Sequence, residues 1–152
     1  MSSELFHVLG PGEGEHHEAR GSDMFFKATA ASSLGRFSLM ERTLPPGGRM
    51  PPPHVHPECT EAYFVLNGLV TFVLSGSEFA RGPETFVLVP GGTGHTFGNR
   101  SAEPARLLVM HSPPLDGYFA DLEALWHAAE PPTAEQERAL MARHGMRPAA
   151  DQ

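Results

Sequence analysis

Three histidines and one glutamate fall in two short stretches of this chain: His54-x-His56-x4-Glu61, and then His95, 34 residues after Glu61. On an extended segment side chains at i and i+2 share a face, so His54 and His56 project together. Glu61 opens the run Ala62-Tyr63-Phe64-Val65-Leu66, on which Glu61, Tyr63 and Val65 alternate onto one side. His95 stands in the same alternation with Phe97 and Asn99. Donors so far apart meet at one point when strands roll into a barrel and their inward positions converge.

The rest of the chain reads as material for such a barrel. Sixteen Gly and fifteen Pro are scattered between short apolar runs instead of forming one block, which suits frequent turns in an all-β protein. Strands are expected at 5–9, 24–29, 36–44, 62–66, 69–74, 78–81, 84–89, 95–99 and 106–111. Asn67-Gly68, between two aromatic and β-branched runs, predicts a hairpin, and Ser75-Gly76-Ser77 a further turn. In the run 36–44, Phe37, Leu39, Glu41 and Thr43 alternate with Ser38, Met40 and Arg42, and the pattern does not choose the inward face. Glu15 to Gly21 reads as a polar loop. Pro51-Pro52-Pro53 holds the approach to His54 extended.

After Pro113-Pro114 the period changes to helical. Asp116 is the expected N-cap of a helix over 117–129 with Phe119, Leu122, Leu125 and Trp126 on one packing face. Thr133 and Gln136 form a capping box for a second helix ending near Gly145. The organisation expected is 1–35 as N-terminal strands and loop completing the barrel or a dimer edge, 36–112 as barrel core, 113–145 as C-terminal helices and 146–152 as a flexible tail.

Charge removes two classes of partner. Eleven Lys plus Arg against eighteen Asp plus Glu leave −7, with no basic cluster to offset it, so neither nucleic acid nor an anionic membrane surface is an expected partner. No run approaches the ~20 apolar residues needed to span a bilayer, and Met1-Ser2-Ser3-Glu4 has no secretory character. With a single cysteine, Cys59, the expectation is a reducing, cytoplasmic location.

Three neutral imidazoles and one carboxylate suit a divalent first-row ion: Fe, Ni, Mn, Co, Cu or Zn. Bound by His54, His56, Glu61 and His95, such an ion keeps a net charge of about +1 and open positions for a small-molecule substrate. Tyr63, Phe97 and Met40 are the pocket candidates beside it, with barrel-core packing as their alternative. His7, His16, His17, His111, His127 and His144 are expected to be packed or solvated. Cys59 reads as a loop thiol near the site, with a fifth-ligand role as the alternative.

The stretch Gly48-x5-His54-x-His56-x4-Glu61-x6-Gly68 is similar to the first motif of the cupin superfamily, and Pro90-x-Gly92-x2-His95-x3-Asn99 to the second. The usual glycine six residues before that proline is here Gly82, eight before it. The resemblance spans roughly 36–112 and implies a double-stranded β-helix, a conical β-barrel or jelly roll, with the four donors named above as metal ligands and Asn99 outside the metal shell. The whole chain resembles small single-barrel proteins described as quercetin 2,3-dioxygenase-like. That likeness implies a dioxygenase holding a flavonol or other enol on the metal through a deprotonated hydroxyl, with Glu61 as ligand and proton acceptor, and a homodimer. The alternatives are a Zn or Mn Lewis-acid cyclase or isomerase of polyketide type, and a non-catalytic small-ligand-binding cupin.

Overall fold

The structure, a computed structural model, describes residues 6–149. Eleven strands and two helices follow one another as β1 (Glu15–Ala19), β2 (Ser22–Ala28), β3 (Ser38–Leu44), β4 (His54–Val55), β5 (Thr60–Asn67), β6 (Val70–Leu74), β7 (Ser77–Arg81), β8 (Phe86–Val89), β9 (His95–Gly98), β10 (Ala105–Ser112), α1 (Asp116–Trp126), α2 (Ala134–Arg143) and β11 (Arg147–Pro148). They make two antiparallel sheets, one in the order β1-β2-β3-β10-β5-β8 and the other β11-β4-β9-β6-β7. The all-β expectation holds.

Consecutive strands cross repeatedly between the sheets, and this corrects one sequence reading. Asn67-Gly68 joins β5 to β6, yet the two are not paired: β5 lies between β10 and β8, and β6 between β9 and β7. The turn carries the chain from one sheet to the other. Gly68, at φ 79°, passes so close to the next layer that a Cβ would stand 2.5 Å from the Pro104 carbonyl oxygen. The two-residue hairpins lie elsewhere, at Arg20-Gly21 between β1 and β2 and at Ser75-Gly76 between β6 and β7, all four residues at positive φ.

Three further expectations change. Residues 6–9 form no strand, since β1 already takes the free edge of β2; Leu5 lies outside the described residues. The polar segment from Glu15 forms β1 because ladder hydrogen bonds and cross-strand contacts hold it, with His16 stacked on Phe25 at 4.6 Å. Residues 146–149 are pinned where a loose tail was expected: Arg147 and Pro148 pair with Val55 and His54, and the Ala149 N–H donates to the Pro53 carbonyl at 3.2 Å. They satisfy the open edge of the short β4; residues 150–152 lie outside the described residues.

The core lies between the sheets and under the helices, around Phe26, Met40, Tyr63, Phe72, Val109 and Leu122. On β3 the inward face is Ser38, Met40, Arg42 and Leu44. The α2 capping box forms as expected. The N-cap of α1 is Leu115 without a side-chain bond, because the Asp116 carboxylate instead accepts the Ala30 N–H at 2.9 Å. No helix among the described residues is long and apolar enough to cross a membrane.

Candidate metal centre

Strand register brings the donors together. His54 on β4 stands directly opposite His95 on β9, and Glu61, an inward position of β5, stands opposite His111 on β10. His56 follows β4 two residues after His54. The four expected donors are all buried, and their ligand atoms lie within 4.8 Å of one another. The imidazole rings crowd together, His54 and His95 tilted with centroids 4.4 Å apart, His54 and His56 edge to face at 4.9 Å, and His56 and His95 stacked at 5.2 Å.

Backbone carbonyls set the tautomers. His54 Nδ1–H donates to the Pro52 carbonyl at 2.8 Å, and His95 Nδ1–H to the Thr93 carbonyl at 2.9 Å. Both Nε2 lone pairs are thereby turned toward the centre, the outer-partner arrangement that orients metal-ligating histidines. Glu61 Oε2 lies 2.8 Å from His95 Nε2 and 3.1 Å from His56 Nε2, but the latter nitrogen is buried without a hydrogen-bond partner. These two separations are those of adjacent ligands on one ion with bonds of about 2.1 Å, and the 4.8 Å spread of the whole group needs only a small inward shift of the donors to close around it. Orphaned nitrogen, fixed tautomers and spacing fit a divalent ion held by His54, His56, Glu61 and His95.

Electrostatics agree with an ion-binding cluster. Burial alone would raise the Glu61 carboxyl, but His111, His56 and His95 outweigh it and hold it well below the usual carboxylate range. Burial, and then His95, push His54 down to about 3, so it is neutral and free to ligate across the ordinary pH range. Burial also lowers His56 against the pull of Glu61, whereas at His95 Glu61 prevails and the value rises.

The second carboxylate oxygen is committed elsewhere. Tyr63 donates its hydroxyl to Glu61 Oε1 at 2.5 Å, and His111 Nε2 lies 3.1 Å from the same atom. With that contact facing the ring N–H, the buried His111 Nδ1 is left without a hydrogen-bond partner. Burial and Glu61 keep the Tyr63 phenol far above its ordinary value, so it acts as a donor.

Two spaces adjoin the cluster. An inner cavity of about 20 Å³ is lined by His54, His56, Glu61 and His111 together with Phe97 and Phe119. An outer pocket of about 400 Å³ is lined by His56, Cys59, Pro113, Leu115, His144 and Arg147. His56 and Leu115 face both spaces and so stand between the outer pocket and the inner cavity.

Residues 40–111 match the profile of the cupin domain family. The chain carries a cupin domain. An alignment 92 positions long, covering 57% of this chain, is 36% identical to a germin-like protein 1-1 from Oryza sativa subsp. japonica, but it spans only 42% of that longer protein. Among solved structures, the polyketide cyclase RemF from Streptomyces resistomycificus superposes with a TM-score of 0.61 at 24% identity, covering 70% of this chain and 79% of that one. A sugar phosphate isomerase of the cupin superfamily from Silicibacter pomeroyi superposes with a TM-score of 0.59 at 24% identity over 70% and 75% of the two chains. At these identities the likeness is one of fold.

Of this cupin's three pocket candidates, Phe97 lines the inner cavity, Tyr63 reaches the centre through Glu61, and Met40 sits in the core cluster away from the lining of either space. Cys59 is outside the donor group; its thiol contacts the carbonyls of Thr60 and Pro113 at 3.6 Å, and burial and then Glu61 push it up to about 11. Asn99 staples loops instead of ligating, donating to the carbonyls of Leu44 and Glu103 at 3.1 and 2.7 Å. His111 and the buried Arg20 and Arg42 are the site residues that sequence reasoning missed. For His111 the signal was its phase on β10, where it shares the buried face of Val109, Leu107 and Ala105.

Proposed function

We propose that this cupin is a metal-dependent enzyme of enol-type substrates, and that its reaction is a dioxygenation. The observation that carries the reading is the divided Glu61 carboxylate, with Oε2 among the imidazoles and Oε1 held by Tyr63 and His111, whose Nδ1 is left open. A divalent Fe, Ni, Mn, Co, Cu or Zn ion on His54, His56, Glu61 and His95 would supply Lewis acidity to the enol oxygen and a place for substrate and dioxygen to meet.

The chain's own groups supply the rest. His111 takes the enol proton at Nδ1, and its Nε2–H, facing Glu61 Oε1, lets that carboxylate stabilise the imidazolium. Glu61 thus serves the proton transfer through His111 while both of its oxygens stay in place. Tyr63 anchors Oε1, and Phe97, Phe119, Met141 and Met146 exclude bulk water. A cavity of about 20 Å³ takes a group the size of a water or two. A ring the size of a flavonol therefore rests in the outer pocket and passes only its reacting end beyond His56 and Leu115.

A second reading, a Zn or Mn Lewis-acid cyclase or isomerase, is supported by the thioethers of Met141 and Met146 in the cavity wall, which oxygen chemistry would expose to oxidation. Oxygen consumption decides between them. Purified protein loaded separately with each of the six ions is offered quercetin and smaller enols in an oxygen electrode, with His54→Ala as control. Uptake stoichiometric with substrate supports the dioxygenase; turnover without uptake selects the second reading; binding without turnover leaves a ligand-binding cupin.

A homodimer in the cytoplasm completes the proposal. The exposed Phe86 and Leu88 on the edge strand β8 favour burial against a second copy, and sedimentation velocity of wild type against Phe86→Ser tests it.

A further inference from the structure

Two arginines are buried in the wall of the inner cavity, Arg42 at 2% exposure and Arg20 at 7%. They are matched unequally. Arg20 Nε donates to Glu137 Oε1 at 2.9 Å, and the same carboxylate accepts from Trp126 Nε1 at 2.7 Å and Arg49 Nη2 at 3.5 Å. Arg20 Nη2 is buried without a hydrogen-bond partner among the described residues, while the guanidinium carbon lies 5.9 Å from the Trp126 ring centroid. Arg42 donates from Nε to Ser22 Oγ at 2.9 Å, and among the described residues no carboxylate comes within 4 Å of it.

A guanidinium taken out of water without a counter-ion is unfavourable. The rings of Phe97 and Phe119, 5.2 and 5.9 Å from Arg42 Cζ, return only part of the lost hydration. Burial and then Arg20 lower Arg42 to about 10, so it remains charged at neutral pH. A divalent ion on the neighbouring cluster would add positive charge to the same wall, which then holds an unmatched Arg42 beside an ion only half neutralised by Glu61. Arg20 also occupies a left-handed turn position, φ 56°, where glycine or asparagine is the ordinary choice. There its side chain reaches the cavity beside the buried Tyr118 hydroxyl.

We propose that Arg42, the open Nη2 of Arg20 and the Tyr118 hydroxyl form a carboxylate subsite, and that the substrate is a small organic acid whose carboxylate lies here while its enol oxygen reaches the metal cluster. The planar guanidinium fork matches a carboxylate edge. The cavity of about 20 Å³ admits such a group. The second half of the proposal rests on the enzyme reading above; the subsite does not.

The test therefore reads binding, with pyruvate as probe and inorganic phosphate and chloride as arms at matched ionic strength. Thermal denaturation and titration calorimetry are run on wild type, His54→Ala, Arg42→Met and Tyr118→Phe. Pyruvate is expected to raise the melting temperature of wild type and of His54→Ala in a saturable way. Arg42→Met should weaken that binding about tenfold or more and, having shed an unmatched buried charge, melt no lower than wild type when ligand-free. Tyr118→Phe, which keeps the ring, should weaken binding a few-fold and decides the matter if Arg42→Met does not fold.

Four results overturn the subsite: no saturable binding to wild type up to tens of millimolar, undiminished binding in Arg42→Met or in Tyr118→Phe, loss of binding in His54→Ala, or phosphate binding more tightly than pyruvate. Pyruvate binding in a protein that turns over no enol leaves the subsite standing and sinks only the enzyme reading.

Discussion

Glu61 and Glu137 are buried to the same depth, 3% and 0% exposed, and are held in opposite ways. Glu137 is surrounded by Arg20, Arg49 and the Trp126 N–H, partners whose charge or proton is permanent. Glu61 is surrounded by His56, His95 and His111, which can each be neutral, and by a Tyr63 hydroxyl. The chain completes the first site by itself, tying α2 to the β1–β2 turn. The second it leaves able to take a cation from solution. Equal burial therefore marks a structural joint in one place and a binding site in the other, and the distinction lies in whether the neighbours' charge is fixed.

The sharpest way to break this comparison is to neutralise each carboxylate in turn. Glu137→Gln strands the Arg20 guanidinium in the interior and is expected to cost about 3–5 kcal/mol of stability, read as a lowered urea midpoint, with metal content unchanged below the transition. A loss under about 1 kcal/mol would mean that Arg20 finds solvent and that Glu137 is no fixed joint. Glu61→Gln should do the reverse. The metal-free variant is expected to unfold within about 1–2 kcal/mol of metal-free wild type, because a buried charge goes with its partners' demand for it. Its metal affinity should fall by more than the roughly 100-fold typical of an outer partner. Chelator competition followed by mass spectrometry reads that loss, and His54→Ala should share it.

Between these extremes lies His111, which touches Glu61 yet is not one of the four donors. His111→Asn is expected to keep near wild-type metal stoichiometry while lowering kcat about 10²- to 10⁴-fold, the range for losing a positioned acid–base group. Loss of metal in that variant would make His111 a support of the cluster and remove its proton role.

These residues also show what the sequence made legible. His54, His56 and Glu61 could be read because their spacing is local, i and i+2 on an extended segment and a carboxylate opening the next strand, while His95, 34 residues on, was legible through the likeness of its stretch to the second cupin motif. His111 could not, since its place opposite Glu61 depends on the register of β10 against β5, which pair across 50 residues of chain. Arg42 was hidden for a related reason. Each face of β3 carries one charged and several apolar or small residues, and only the pairing of β3 with β2 and β10 decides that Arg42 points in and Glu41 out. Asn67-Gly68 made the opposite error possible: its turn chemistry is real, but the neighbours that β5 and β6 pair with are elsewhere in the chain. Local chemistry was readable and long-range pairing was not.

Glu41 supplies the smallest test, a carboxylate intermediate between the other two. It sits on the outer side of β3 with Arg106 Nη1 at 2.6 Å, Lys27 Nζ at 3.1 Å and the Gly12 N–H at 3.1 Å. Its partners are fixed cations, as at Glu137, but Arg106 is partly open to water, so the expected contribution is on the order of 1 kcal/mol. Burial would raise its carboxyl, but the Gly12 N–H, Arg106 and Lys27 prevail and lower it. A folded value below the unfolded one means stabilisation that is complete above the ordinary carboxylate range, near 4.5, and is lost as pH falls through the lower folded value. Glu41→Gln should thus be less stable than wild type at pH 7, with the gap closing on acidification below about 4.5. A gap that stays constant with pH would show that the side chain acts there by shape and hydrogen bonding alone, leaving fixed-charge pairing to the buried Glu137.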